Sequence, residues 1–380
     1  MTLHSHNPII TILQQTRQAA LLPSPPLPSQ DRRMTQTLLP GTILGQIGDL
    51  ALTSGKTLPN ARLAYVTYGR LAPNGKNAVL LTHGYTSSHM FAHPTGAVSS
   101  EGSWADLVGP GKPIDTDRFF VISTNMLGSS YGSTAPMSFN PQTGRPYGPD
   151  FPALSLTDIV TAQKKLLDLL GVKHLAAVVG PSYGGFQAFA WGITFPDFID
   201  GLVPAVTAPT RPADRGPDAL ESRLATDKNW NAGHYYEAGG IRTTMADIRQ
   251  ETLIRYGAEA ELAPLYPQKL ARDAALRARA EAWADAFDGH SLLVLGRVLQ
   301  GWDATPHFDQ IKAKILYVLS RTDALFPPSL AASVMAKLKA AGVDAEYAEI
   351  DSEHGHLASG TDATKWADVL RRFINALPRR

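Results

Sequence analysis

The sequence predicts a doubly wound α/β core on a mostly parallel sheet, interrupted by a helical lid. Three observations carry this. Short, continuously apolar runs recur along the chain, as strands buried on both faces require. Segments of helical period alternate with them. From about residue 210 to 305 the strands stop, and Ala-, Arg- and aromatic-rich sequence of helical period takes over.

Taken in order, residues 1–35 form an N-terminal arm. Its stretch Pro8–Leu13 is too short and badly flanked for a signal peptide, and Pro23–Gln30 reads as an extended linker. Residues 36–75 predict β-hairpins, with "ARLAYVTYGRL" rich in β-branched and aromatic residues and "APNGKN" as a turn. Ala78–Leu81, Phe119–Asn125 and His174–Gly180 predict buried strands. Between the last two, Ser155 with Asp158 forms a capping signal. Ile159, Ala162, Leu166 and Leu170 then recur at helical spacing, and Gly171 closes the helix, so the unit predicts a parallel crossover. After Ser182, "FQAFAWGITFP" predicts a helix stopped before Pro196, and "GLVPAVTAP" another strand. The alternation resumes with "KILYVLS", a helix over 328–341, "AEYAEID", and a last helix whose apolar face is Trp366, Val369, Leu370, Phe373 and Ile374. The expected domains are therefore the arm (1–35), a core from 36–209 and 306–380, and a lid over 210–305.

Composition excludes several classes. With 35 basic and 34 acidic residues the formal net charge is +1, and no basic stripe suggests a nucleic-acid partner. There are no cysteines, hence no disulfides, thiolate metal sites or cysteine nucleophile; this fits a reducing, cytoplasmic setting. No apolar run reaches the roughly 18 residues of a membrane span. No metal site and no cofactor is expected.

The chemistry gathers at "VVGPSYGGFQAF". Gly180-Pro181-Ser182-Tyr183-Gly184 follows a buried strand and opens a helix, the setting in which a G-x-S-x-G serine becomes a nucleophile. A serine needs a base, and the base an orienting carboxylate. Asp323 follows one later strand, and His354 and His356 follow the next. The order Ser182, Asp323, His356 thus fits, with each residue at the carboxyl end of a parallel strand. Backbone N–H groups of Tyr183 and Tyr85 are the expected oxyanion donors. His83 shapes the latter's loop, "THGYTSS", rather than reacting.

These motifs, with "GPGKPIDTDRFFVI", "NMLG", "YGST", "NWNAGHYYE" and "FDGHSLL", resemble the homoserine O-acetyltransferase superfamily of α/β-hydrolases over residues 40–377. The resemblance implies the α/β-hydrolase fold, a helical lid and a homodimer, and it selects His356 over His354. Two departures stand out. Leu357 occupies the position where homoserine acetyltransferases carry an Asp for the substrate ammonium. The lid stretch "GGIRTTMADIRQETLIRYG" lacks the A-R-M-x-G-H-x-T-Y run, its Arg position falling on Met245 or Asp247 with Arg249 and Arg255 nearby but unmatched. An unpaired charge in an apolar pocket costs several kcal/mol. Leu357, with Trp230, Tyr235 and Tyr236 as further pocket residues, therefore implies the carboxylesterase branch. The expectation is a serine esterase that hydrolyses short-chain, acetyl-type esters of small neutral alcohols through an acyl-enzyme on Ser182. The alternative is an acetyl-CoA-dependent O-acetyltransferase acting on homoserine or another alcohol.

Overall fold

The computed structural model describes residues 38–94, 102–211 and 216–378; the N-terminal arm lies outside them. Its frame is an eight-stranded sheet. The strands are β1 (Ile43–Ala51), β2 (Thr57–Tyr68), β3 (Ala78–Thr82), β4 (Phe120–Thr124), β5 (Leu175–Pro181), β6 (Ile199–Ala205), β7 (Lys314–Ser320) and β8 (Ala345–Ile350). Their spatial order is β1-β2-β4-β3-β5-β6-β7-β8. β1 and β2 pair antiparallel at one edge, and β2 joins β4 antiparallel; from β4 to β8 every pairing is parallel. All residues of β3, β5 and β6 are buried, which is why those segments read as largely apolar runs rather than alternating ones; the exception in β6, Asp200, is buried against His174 at 2.9 Å.

Helix α1 (Leu156–Leu169) connects β4 to β5 but passes over β3, so the two strands it joins are not neighbours. Ser155 and Asp158 close a reciprocal capping box at its start. Asp158 also accepts from the Thr53 N–H at 2.8 Å, tying the helix to the hairpin turn. Helix α2 (Tyr183–Thr194) follows β5 directly. One face of the sheet buries α1 and α2 through Ile159, Leu166, Phe189 and Trp191. The other buries the C-terminal helix Ala367–Ala376 through Leu370, Phe373 and Ile374, with Trp366 against Trp104. Each such side chain, fully buried, contributes about 1.5–3 kcal/mol.

Between β6 and β7 lie the helices α3 (Gly216–Leu224), α4 (Arg242–Tyr256), α5 (Ala258–Leu262), α6 (Lys269–Ala284) and α7 (Gly289–Val298). Their apolar faces form a separate cluster that includes Met245, Trp283, Phe287 and Leu293. No helix among the described residues is long and apolar enough to cross a membrane.

Candidate active site

Four loops at the carboxyl ends of β3, β5, β7 and β8 converge, as expected for a parallel sheet. The loop after β5 is the most constrained. Ser182 sits at φ 54°, ψ −118°, a conformation L-residues rarely adopt, which stores about 1–3 kcal/mol of strain. Hydrogen bonds hold it there: the Ser182 N–H donates to Ala205 O at 2.8 Å, and Thr207 Oγ1 donates to Ser182 O at 2.8 Å. The flanking glycines are required by close approach. A Cβ on Gly180 would lie 2.1 Å from Thr82 Oγ1, one on Gly184 2.2 Å from Thr82 O, and one on Gly185 2.2 Å from Thr207 Cγ2. Small residues here let the elbow press onto β3 and β6 and lift the serine above the sheet edge.

His356 Nε2 lies 2.8 Å from Ser182 Oγ, and His356 Nδ1 lies 2.8 Å from Asp323 Oδ2. All three residues are buried. Asp323 Oδ1 accepts the Leu325 N–H at 2.8 Å and the Phe326 N–H at 3.2 Å. Burial works to raise the Asp323 pKa. The facing His356 and those two N–H groups outweigh it and hold the carboxyl below its usual range. The acid is therefore ionised, oriented, and able to stabilise an imidazolium. The rings of Tyr256 and Phe326 enclose His356, with centroids 4.7 and 5.6 Å away. Such a chain can move a proton from a serine hydroxyl to an imidazole while the oxygen attacks a carbonyl.

Tyr85 and Tyr183 both line the cavity beside Ser182. Their rings stack, centroids 5.7 Å apart. The hydroxyls turn away from the serine: Tyr85 donates to Leu292 O and Tyr183 to Leu295 O, at 3.0 Å in the second case. Both side chains therefore fasten α7 to the nucleophile turn and the β3 loop. His83 is wholly buried, with Nδ1 2.8 Å from Gly84 O and Nε2 2.9 Å from Asn125 Oδ1. Desolvation pushes its pKa down to about 4, so it is a neutral brace for that loop.

The other pocket residues expected from sequence lie elsewhere. Trp230, Tyr235 and Tyr236 do not line the cavity that holds Ser182. Tyr235 stacks on both Trp230 and His290, and Trp230 meets His290 at a tilt. Both tyrosine hydroxyls donate to Asp288, which also caps α7 through the Ser291 N–H. The reason is polar satisfaction: a buried carboxylate needs donors, and these phenols supply them. Burial raises the Asp288 pKa. Asp288→Asn is expected to destabilise the fold by about 1–3 kcal/mol, because an amide cannot accept on both sides; chemical denaturation of the variant measures it. Leu357 is likewise not part of the wall; it clusters with Leu253, Tyr256 and Leu262.

What does enter the cavity, of about 930 Å³, is Arg249. It is 3% exposed. Its Nη1 donates to Thr86 Oγ1 at 2.9 Å, and its guanidinium lies over the Trp283 ring, 5.3 Å from the centroid. A signal for it exists in the sequence of α4. Met245, Ala246, Arg249, Leu253 and Tyr256 recur at helical spacing and are all buried, so Arg249 is the cation in an apolar stripe.

Serine chemistry on this strand order places the chain in one class, the α/β-hydrolase enzymes. The alpha/beta hydrolase fold family matches residues 77–362. A homoserine O-succinyltransferase of Methylibium petroleiphilum is 36% identical over 351 residues, covering 86% of this chain and 91% of that one. A homoserine O-acetyltransferase of Moorella thermoacetica is 34% identical over 355 residues, covering 86% and 94%. A crystal structure of an esterase superposes with a TM-score of 0.78 at 28% identity, covering 88% of this chain and 99% of that one. The chain belongs to the alpha/beta hydrolase fold family and, within it, to the homoserine O-acetyltransferase superfamily.

These relatives overturn the expectation of ester hydrolysis, since they are named for O-acyl transfer. The physical premise of that expectation also fails. An apolar acceptor site rests on Leu357 in the wall, but Leu357 packs with Leu253, Tyr256 and Leu262, and the buried Arg249 lines the cavity instead.

Proposed function

We propose that this chain transfers an acyl group from an acyl-CoA thioester to the hydroxyl of a small carboxylate-bearing acceptor of the homoserine type. The observation that carries the reading is Arg249, a buried cation in the same cavity as Ser182. A guanidinium there offers a carboxylate the paired charge that entry into a desolvated pocket demands. The naming of the relatives supports it.

In the reaction, Ser182 Oγ attacks the thioester carbonyl while His356 Nε2 takes its proton. The N–H groups of Tyr183 and Tyr85 stabilise the oxyanion, and His356 returns the proton to the departing thiolate. The acceptor hydroxyl then gives its proton to His356 and attacks the acyl-Ser182 ester; collapse of the second tetrahedral intermediate frees the serine. Asp323 keeps the imidazole in register throughout.

The test is release of CoA from acetyl-CoA and from succinyl-CoA, with and without L-homoserine. The expected result is release that depends on homoserine with at least one donor, with the O-acyl amino acid as product. Release at the same rate without acceptor, with free acid as product, overturns the reading.

A further inference from the structure

Among the described residues, the cavity wall carries four arginines, Arg211, Arg223, Arg249 and Arg255, and one carboxylate, Glu251. They occupy two depths. Arg249 is buried beside Thr86, while Arg223 and Arg255 are exposed. Most exposed arginines of this lid are ion-paired. Elsewhere on it Arg277 lies 2.6 Å from Asp247, Arg279 3.0 Å from Glu261 and Arg297 2.6 Å from Glu221. At the mouth, Glu251 is 3.5 Å from Arg223. Arg255, one helical turn beyond Glu251 on α4, has no ion-pair partner among the described residues. Among the described residues, the two exposed guanidiniums Arg223 and Arg255 thus stand at the mouth with the single carboxylate of Glu251.

We propose that Arg223 and Arg255 form a phosphate-binding rim that holds the diphosphate or ribose phosphate of an acyl-CoA donor. This rests on the acyl-transfer reading above and adds the residues that recognise the donor. A CoA thioester carries its reactive carbonyl at the tip of a long, neutral pantetheine arm, with all its phosphates at the other end. When the carbonyl stands at Ser182, the arm lies in the cavity and the phosphates remain outside. The wall matches that distribution. Its less exposed lining includes neutral side chains such as Leu220, Ile248 and Leu299, and its exposed guanidiniums are those of Arg223 and Arg255. Guanidinium forks suit phosphate oxygens, and at an exposed rim they also steer a polyanion toward the opening. The buried Arg249 is then kept for the acceptor's carboxylate, so donor and acceptor are read by separate cations.

The experiment compares two donors, acetyl-CoA and acetyl-pantetheine, which share the thioester but not the phosphates. It uses the full chain and the double variant Arg223→Gln with Arg255→Gln. The expected result is a rise in KM for acetyl-CoA of about 10- to 100-fold in the variant, the loss of one or two charge-assisted hydrogen bonds. KM for acetyl-pantetheine moves less than twofold, and the thermal unfolding midpoint shows that the fold persists. An equal rise for both donors, or none for acetyl-CoA, overturns the proposal. If the wild-type chain turns over neither thioester, the acyl-transfer reading fails. Calorimetric titration of CoA into Ser182→Ala protein then decides the rim by itself. Binding that the two glutamines abolish supports it; no binding, or binding equal in both proteins, overturns it.

Discussion

Ser182→Ala is expected to lower kcat for acyl transfer by a factor on the order of 10⁶, with little change in the affinity for either substrate. The loss is this large because the serine is the atom that carries the acyl group; without it His356 and the oxyanion donors have no covalent intermediate to serve. Stopped-flow acylation with p-nitrophenyl acetate reads the step directly, as a burst of nitrophenol equal to the enzyme concentration in the wild type and absent in the variant. A burst retained by Ser182→Ala would remove Ser182 from the reaction. The backbone adds a second, opposite effect. Alanine inherits the strain at φ 54°, whereas glycine does not. Ser182→Gly is therefore expected to be equally inactive yet more stable than Ser182→Ala by about 1 kcal/mol, measured by denaturant unfolding. That stability difference would show the strain to be a property of the site's geometry rather than of the serine side chain.

The contrast between what was legible in the sequence and what was not has a physical basis. Strands β3, β5 and β6 are readable because burial on both faces leaves no alternation and few polar residues, Thr82 at the end of β3 and Asp200 near the start of β6. Ser182, Asp323 and His356 are readable because each follows such a strand, and the ends of parallel strands converge whatever the intervening chain does. The neighbours of the cavity follow no such rule. His356 and Leu357 are adjacent in sequence, yet one ring faces Ser182 while the other side chain joins Leu253 and Leu262. Trp230, Tyr235 and Tyr236 lie on the same lid as Trp283, yet Asp288 draws the two tyrosine hydroxyls to itself, and only Trp283 reaches the wall. Which lid side chain turns inward depends on how α4, α6 and α7 pack, and that is a tertiary outcome. The apolar stripe of α4 carried the one local clue, since a cation centred in it must find a partner within the protein or in a ligand.

That clue yields the second large effect. Arg249→Met keeps an apolar side chain about as long as the arginine's methylene stem but removes the guanidinium that lies over Trp283, and its charge. It is expected to reduce kcat/KM for L-homoserine about 10³-fold, the scale on which an uncompensated buried carboxylate is penalised. The loss should fall on the acceptor half-reaction. Burst acylation by p-nitrophenyl acetate, which brings no carboxylate, is expected to stay within a few-fold of the wild type. An acceptor of the same length with an alcohol in place of the carboxylate should be used about equally by both proteins. Arg249→Lys distinguishes charge from shape. Lysine restores the positive charge but not the fork that reaches Thr86 Oγ1 and stacks on Trp283, so partial recovery, about tenfold below the wild type, is the expected outcome. If the methionine variant instead loses the burst together with homoserine transfer, Arg249 acts by holding the β3 loop through Thr86, and the acceptor's carboxylate is read elsewhere.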